Sequence, residues 1–139
     1  MCLHTKKQFP TIAEEEIPVY KVLYEQELLS GKKVYHAPFR GFLYEKGTNV
    51  ACGEEHIIQY YDSTDLFSVY GGYLHAYQSK EVADRVADVL HKLYGDEVNP
   101  VVITMYIPKG TKYYSGSKDP KNFLSDNDIC AKQLVWKEE

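Results

Sequence analysis

The sequence predicts an α+β fold: a single domain, mainly antiparallel twisted sheet, with one main amphipathic helix packed on it. Short β-branched and aromatic runs, divided by turn signals, recur from about residue 18 to residue 136. Only residues 79–94 place apolar side chains at helical spacing over several turns. At 139 residues the chain is about one domain, and it buries roughly two-thirds of its unfolded surface. No linker, repeat or low-complexity stretch divides it.

Residues 1–16 read as a polar N-terminal arm, without the apolar stretch of a secretory signal. Pro18 to Tyr24 is a strand by its valines and tyrosines. Glu25 to Lys33 reads as a connection around Ser30-Gly31. Val34 to Tyr44 is extended but interrupted by Pro38 and Gly41, so it is an edge strand or two short strands with a bend. Lys46 to Asn49 reads as a turn, His56 to Tyr61 as a short strand, and Asp62 to Asp65 as turn or cap chemistry.

Gly72 to Tyr77 is a strand that runs straight into the helix. Ser79 is its expected N-cap and Glu81 complements the dipole in the first turn. Val82, Val86, Val89 or Leu90, and Leu93 form the apolar stripe, and Gly95 ends the helix. Pro100 to Pro108 is apolar on both faces, which predicts a central strand. Thr111 to Tyr114 resumes extended structure, Ser115 to Asp128 is a polar loop, and Ile129 to Trp136 is the last strand.

Composition narrows the function. No run reaches the ~18 apolar residues of a membrane span. The net charge of −4 argues against sequence-independent nucleic-acid binding, which needs lysine and arginine at phosphates. Three cysteines, Cys2, Cys52 and Cys130, give no paired framework, which favours a reducing cytoplasm. Thirteen tyrosines suit half-buried strand faces or an aromatic-lined groove.

The reactive residue types fall short of a complete catalytic set. Cys2, His4, Cys52 and His56 are zinc-ligand types without the knuckle spacing, so no metal is expected. Cys52 with His56 or His75, and Asp62 or Asp65, has the composition of a thiol hydrolase. No helix starts at Cys52 to lower its pKa, however. Glu14 to Glu16, Glu54-Glu55 and Asp126 with Asp128 read as solvated faces and Asx turns. Gly71-Gly72 precedes a strand and is not a phosphate loop. His75 alternates with Tyr73 and Tyr77 on one strand face, while Leu74 and Ala76 point the other way. That face is either solvent-facing or the floor of an aromatic cleft.

Several segments resemble a family of small uncharacterised proteins from gut bacteria and their phages. They are Met1-Cys-Leu-His-Thr-Lys6, Ile17 to Leu23, Gly72-Tyr-Leu-His75-Ala76, Ile107 to Tyr114, and Ser125-Asp126. The resemblance implies a phage- or mobile-element-associated protein. The order of strand, alanine-containing helix and strand ending in Ile-Pro-Lys-Gly-Thr is also similar to ADP-ribosyltransferase-like folds. That likeness implies NAD as cofactor, with Lys21 where such enzymes carry a gripping residue. It places Asp126 or Asp128 near the late carboxylate, but the chain has no Glu-x-Glu there.

Two functions are therefore expected. The first is a small cytoplasmic binding or accessory domain without catalysis or cofactor, whose partner is a protein or a small nucleotide-like ligand. The second is a transferase-like enzyme with catalytic candidates His75, Lys21, Asp126 and Asp128. The ligand-binding candidates are Tyr73, His75, Tyr77, Arg40 and Lys109.

Overall fold

The computed structural model describes residues 2–38, 42–59, 66–117 and 127–137. Along the chain come β1 (Cys2–Thr5), β2 (Thr11–Ile12), β3 (Ile17–Glu27), β4 (Lys33–His36), β5 (Leu43–Tyr44), β6 (Gly47–Val50) and β7 (His56–Gln59). Then follow β8 (Phe67–Tyr70), β9 (Leu74–Tyr77), the helix α1 (Lys80–Tyr94), a 3-10 turn at Gly95–Glu97, β10 (Pro100–Ile107), β11 (Lys112–Gly116), β12 (Asp128–Ala131) and β13 (Gln133–Trp136). Every strand pairing among the described residues is antiparallel. The α+β class read from the sequence is the class observed. No described helix is long and apolar enough to cross a membrane.

The main sheet runs in the order β2, β11, β12, β9, β3, β10, β13, β6, with β4 and β5 attached to β3. Lys132 is the one residue between β12 and β13, yet three strands separate these two in the sheet. The first half of one bent strand thus pairs with β9, and its second half meets β10 through Tyr106 and Val135. The sheet must curl back on itself to allow this, in the manner of a small barrel.

Alternation along β3 then sorts its side chains. Val19 and Leu23 point inward with Met105, Ile107, Leu74, Ala76, Ile129, Ala131 and Leu134, and these form the largest core cluster. Val22 points outward to meet Ala83 and Leu90 of α1. Ser79 caps that helix through a 3.4 Å bond from the Val82 N–H. The helix rests on a narrow seam of Ala83, Val86, Ala87 and Leu90, spaced to face one way. The expected stripe shifts accordingly: Val89 and Leu93 flank the seam and stay exposed, at 49% and 68%.

Strands β1, β8 and β7 form a second, three-stranded sheet. Leu3 and Val69 from it pack on Tyr73, Tyr114 and Cys130, which cover the outer face of β9, β11 and β12. The residues expected to form only a polar arm therefore include β1 and β2. Four-residue β1 buries the apolar Leu3 beside the polar His4 and Thr5 and is followed by Lys6-Lys7-Gln8, so no periodicity announces it. At its other edge β1 exchanges two bonds with Ser117, His4 N–H to Ser117 O and Ser117 N–H to His4 O. Gly116 lies directly beneath this crossing, and a Cβ there would come within 2.0 Å of the His4 carbonyl oxygen.

Other boundaries also differ. The expected connection at 25–33 is shorter, because β3 runs to Glu27 and pairs with β4 down to Lys33. The expected turn at 46–49 is mostly the edge strand β6, whose buried Asn49 accepts from the Glu45 N–H and donates to the Glu45 and Leu134 carbonyls. Residues 67–70 form β8, and the loop expected at 115–128 gives Ser115 and Gly116 to β11 and Asp128 to β12, while 118–126 lie outside the described residues. Val34 to Tyr44 resolves into two short strands, as the proline and glycine there predict.

Gly116→Ala is expected to destabilise the fold by about 1–3 kcal/mol, because the contact is with backbone that cannot rotate away. Urea unfolding measures it, as a lower midpoint at an unchanged slope.

Candidate functional site

Strands β3 and β9 meet at a single pair, Tyr20 with Tyr77. Four residues on, at Tyr24, β4 has replaced β9 as the partner on that edge, while β10 holds the other edge throughout. Between Tyr20 and Tyr24 the ladder is missing its rungs, and a cavity of about 300 Å³ occupies the opening. Its wall draws on both faces of β3, since Lys21 points inward and Val22 points toward α1. Leu74, His75 and Ala76 of β9 form the opposite wall. Phe42 and Tyr44 close the inner end, and Val86 and Leu90 of α1 close the outer end.

Lys21 spans this opening. Its Nζ donates to the His75 carbonyl oxygen at 2.5 Å and lies 5.2 Å from the centre of the Tyr44 ring. The ammonium thus does for the His75 carbonyl what a neighbouring strand would have done. Tyr44 is buried, and burial pushes its phenol well above the usual value, so it stays protonated. Ring edges of Phe42 and Tyr44 meet at 4.9 Å and 64°, which gives the inner end an aromatic surface.

One rim of the cavity is the segment Ala51 to Glu55, with Cys52 on the wall. It is fastened at both ends to Lys132. The Ala51 N–H donates to the Lys132 carbonyl at 2.9 Å, and Lys132 Nζ pairs with Glu55 Oε2 at 2.9 Å. Glu55 also accepts from the Tyr73 hydroxyl at 2.7 Å, while Lys132 sits 4.3 Å above the Tyr73 ring. Those two donors, Lys132 first, hold the Glu55 carboxyl below its ordinary value of 4.5. The Gly71-Gly72 pair lets this rim approach: Gly72 has φ +71°, and a Cβ on it would meet the Glu55 backbone at 2.8 Å.

The structure brings four of the sequence candidates together on this wall: Lys21, Tyr73, His75 and Tyr77. Tyr73 is nevertheless buried, with its ring edge-on to Tyr114 at 5.5 Å, and Tyr77 packs against the α1 seam. His75 is half-buried and stands across from the buried Cys130 on β12. Asp128 is buried opposite Tyr77 on that same face but is not part of the wall. Lys109 lies in the exposed turn after β10, away from the wall. Arg40 and Asp126 lie outside the described residues, as do Asp62 and Asp65.

The cysteine and histidine candidates sit in different settings. Burial pushes the Cys130 thiol up to about 12, so it is not a thiolate nucleophile. Cys52 is exposed and sits in the rim, not at a helix N-terminus. His4 Nδ1 and Ser68 Oγ are hydrogen-bonded at 2.9 Å. Among the described residues, no three His, Cys, Asp or Glu side chains converge to hold a metal ion.

Pattern reasoning overlooked Ala37, Phe42, Tyr44, Val86 and Leu90 as wall residues and Glu55 with Lys132 as the rim fastening. One signal was present for Lys21. A lysine flanked at two-residue spacing by Val19 and Leu23 is a cation on the apolar face of a strand.

The rim fastening gives a pH dependence with a defined sign. A lowered folded pKa means that the Glu55 contribution is complete above about pH 4.5 and is lost as pH falls through the folded value. Glu55→Gln should therefore be less stable than the parent near neutrality, and the two should converge on acidification. Urea midpoints taken from about pH 7 down to about pH 3 measure this, and parallel curves would contradict it.

Comparison with protein-family models, with curated proteins and with solved structures finds no match to this chain, so its function is argued from the cavity itself.

Proposed function

We propose that this protein is a small cytoplasmic binding domain, acting without a catalytic step, whose ligand occupies the opening between β3 and β9. The observation that carries this reading is the cavity: about 300 Å³, mostly apolar, and formed where two strands of the main sheet part. Ligand sites are typically concave and apolar with a few placed polar groups, and this volume is at the small end of their range. Rigid sheet strands supply two of its walls, which favours selective binding over adaptable contact. The free thiols of Cys52 and Cys130 support a reducing compartment. An accessory role in a phage or mobile element rests on the sequence resemblance.

A transferase-like reading draws on one observation, that Lys21 and His75 share the cavity. The absence of Asp128 from the wall weighs against it.

A thermal-shift screen of small metabolites separates these readings. A ligand at 100 times its Kd adds about 2.7 kcal/mol of stability. The expected result is that at least one small amphipathic compound stabilises the parent protein and not Ala37→Phe, which fills the cavity from its wall. Stabilisation confined to NAD, nicotinamide or ADP-ribose would move the assignment to the transferase-like reading. No stabilisation by any compound would sink both.

A further inference from the structure

We infer that the ligand is a small peptide-like amide: one apolar residue in extended conformation, with an amide on each side, which supplies the rung that β3 lacks at Val22. This rests on the binding reading above and specifies the chemistry of that same cavity.

In an antiparallel ladder each residue aims its N–H and C=O at one neighbouring strand, and the next residue aims them at the other. The Glu25 N–H donates to the Asn99 carbonyl on the β10 side, and the register between β3 and β10 is unbroken from Ile17 to Tyr24. Odd-numbered residues of β3 therefore face β10, while Tyr20, Val22 and Tyr24 face the opposite edge. There Tyr20 has Tyr77 of β9 across from it, and Tyr24 has His36 of β4. Val22 has no strand across from it. Among the described residues its backbone N–H and C=O find no partner, although Val22 is 4% exposed and belongs to the cavity wall.

Neither flanking strand closes this rung. Continuing the register of β3 with β4 by two residues places Pro38 opposite Val22, and proline has no N–H to give. Continuing the register of β3 with β9 places His75 there, but its carbonyl accepts from Lys21 Nζ instead. A buried backbone donor and acceptor, side by side, are thus aimed into the opening, where a bound molecule recovers the cost of leaving them unmatched.

The matching group is an extended amino-acid unit, whose own N–H and C=O also lie side by side. Its side chain falls on the same face as that of Val22, toward Val86 and Leu90 of α1, so an apolar residue fits there. Substituents one position away fall on the inner face, toward Phe42 and Tyr44. A cavity of about 300 Å³ suits a molecule of this size and not a folded partner. An ester in place of the amide offers acceptors alone and sets one of them against the Val22 carbonyl.

Two measurements on the parent protein test this. Hydrogen exchange followed by NMR reads the Val22 amide directly. In the free protein it is expected to exchange faster than the amides of Tyr20 and Tyr24. Protection equal to theirs means that the rung is already made, and overturns the inference. Titration calorimetry then compares N-acetyl-leucine methylamide with its isosteric ester, in which oxygen replaces the leucine N–H. The amide is expected to bind at least about tenfold more tightly, from the hydrogen bond that the ester cannot donate, and to slow Val22 exchange at saturation. Equal affinities, or binding that leaves Val22 exchange unchanged, overturn the peptide-like assignment and leave the binding reading standing. If neither compound binds while the metabolite screen yields another ligand, the assignment fails alone. If that screen is empty as well, the cavity reading fails with it.

Discussion

Everything else in this fold depends on the one-residue passage at Lys132. A β-strand alternates its faces and cannot change sheet neighbours without bending. Here β12 and β13 are separated by Lys132 alone, yet three strands lie between them in the sheet. The backbone at the bend is not left unsupported. The Lys132 N–H donates to the Lys112 carbonyl at 3.1 Å, and its own carbonyl accepts from Ala51. Those two bonds tie the bend to β11 on one side and to the cavity rim on the other. Curling gives the sheet an inside for Val19, Leu23, Met105 and Leu134. Its outside is left to be covered by α1 and by the three-stranded sheet.

Curvature also explains why the cavity lies where it does. A strongly curled sheet does not keep every ladder complete, and β3 gives way where β9 and β4 contend for the same edge. The result is an opening with rigid walls, floored by aromatic rings and bridged by Lys21. Lys132 connects the two features physically: its backbone makes the bend, and its ammonium fastens Glu55 on the rim. The bend of the sheet and the fastening of the cavity rim thus meet in one residue.

Much of the architecture was legible in the sequence because local pattern and tertiary role agree there. The helix is delimited by Ser79 and Gly95, and the strand Pro100–Ile107 is apolar on both faces because it is covered on both. The elements that escaped are those whose cause is tertiary. Gly47–Val50 has the composition of a turn and becomes a strand because β13 offers it an edge. Cys2–Thr5 is too short to show a period and is held by partners more than sixty residues away. The cavity was only partly legible for the same reason. His75, Tyr73 and Tyr77 share a face that alternation predicts, whereas Phe42, Tyr44 and Val86 reach it only once the strands have parted. The inward lysine at position 21 is the one mark that the divergence leaves in the sequence.

The bent strand has a further consequence for how the protein is made. Residues 128–136 pair with β9, β11, β10 and β6, all of which precede them in the chain. During synthesis the closing strand is therefore the last of these to emerge. Until it does, β9 and β10 each keep an edge that lacks its final partner, and such edges invite pairing between chains. The interval between translating residue 107 and residue 136 is when a nascent chain is most exposed to aggregation, and when a chaperone that shields strand edges would matter most.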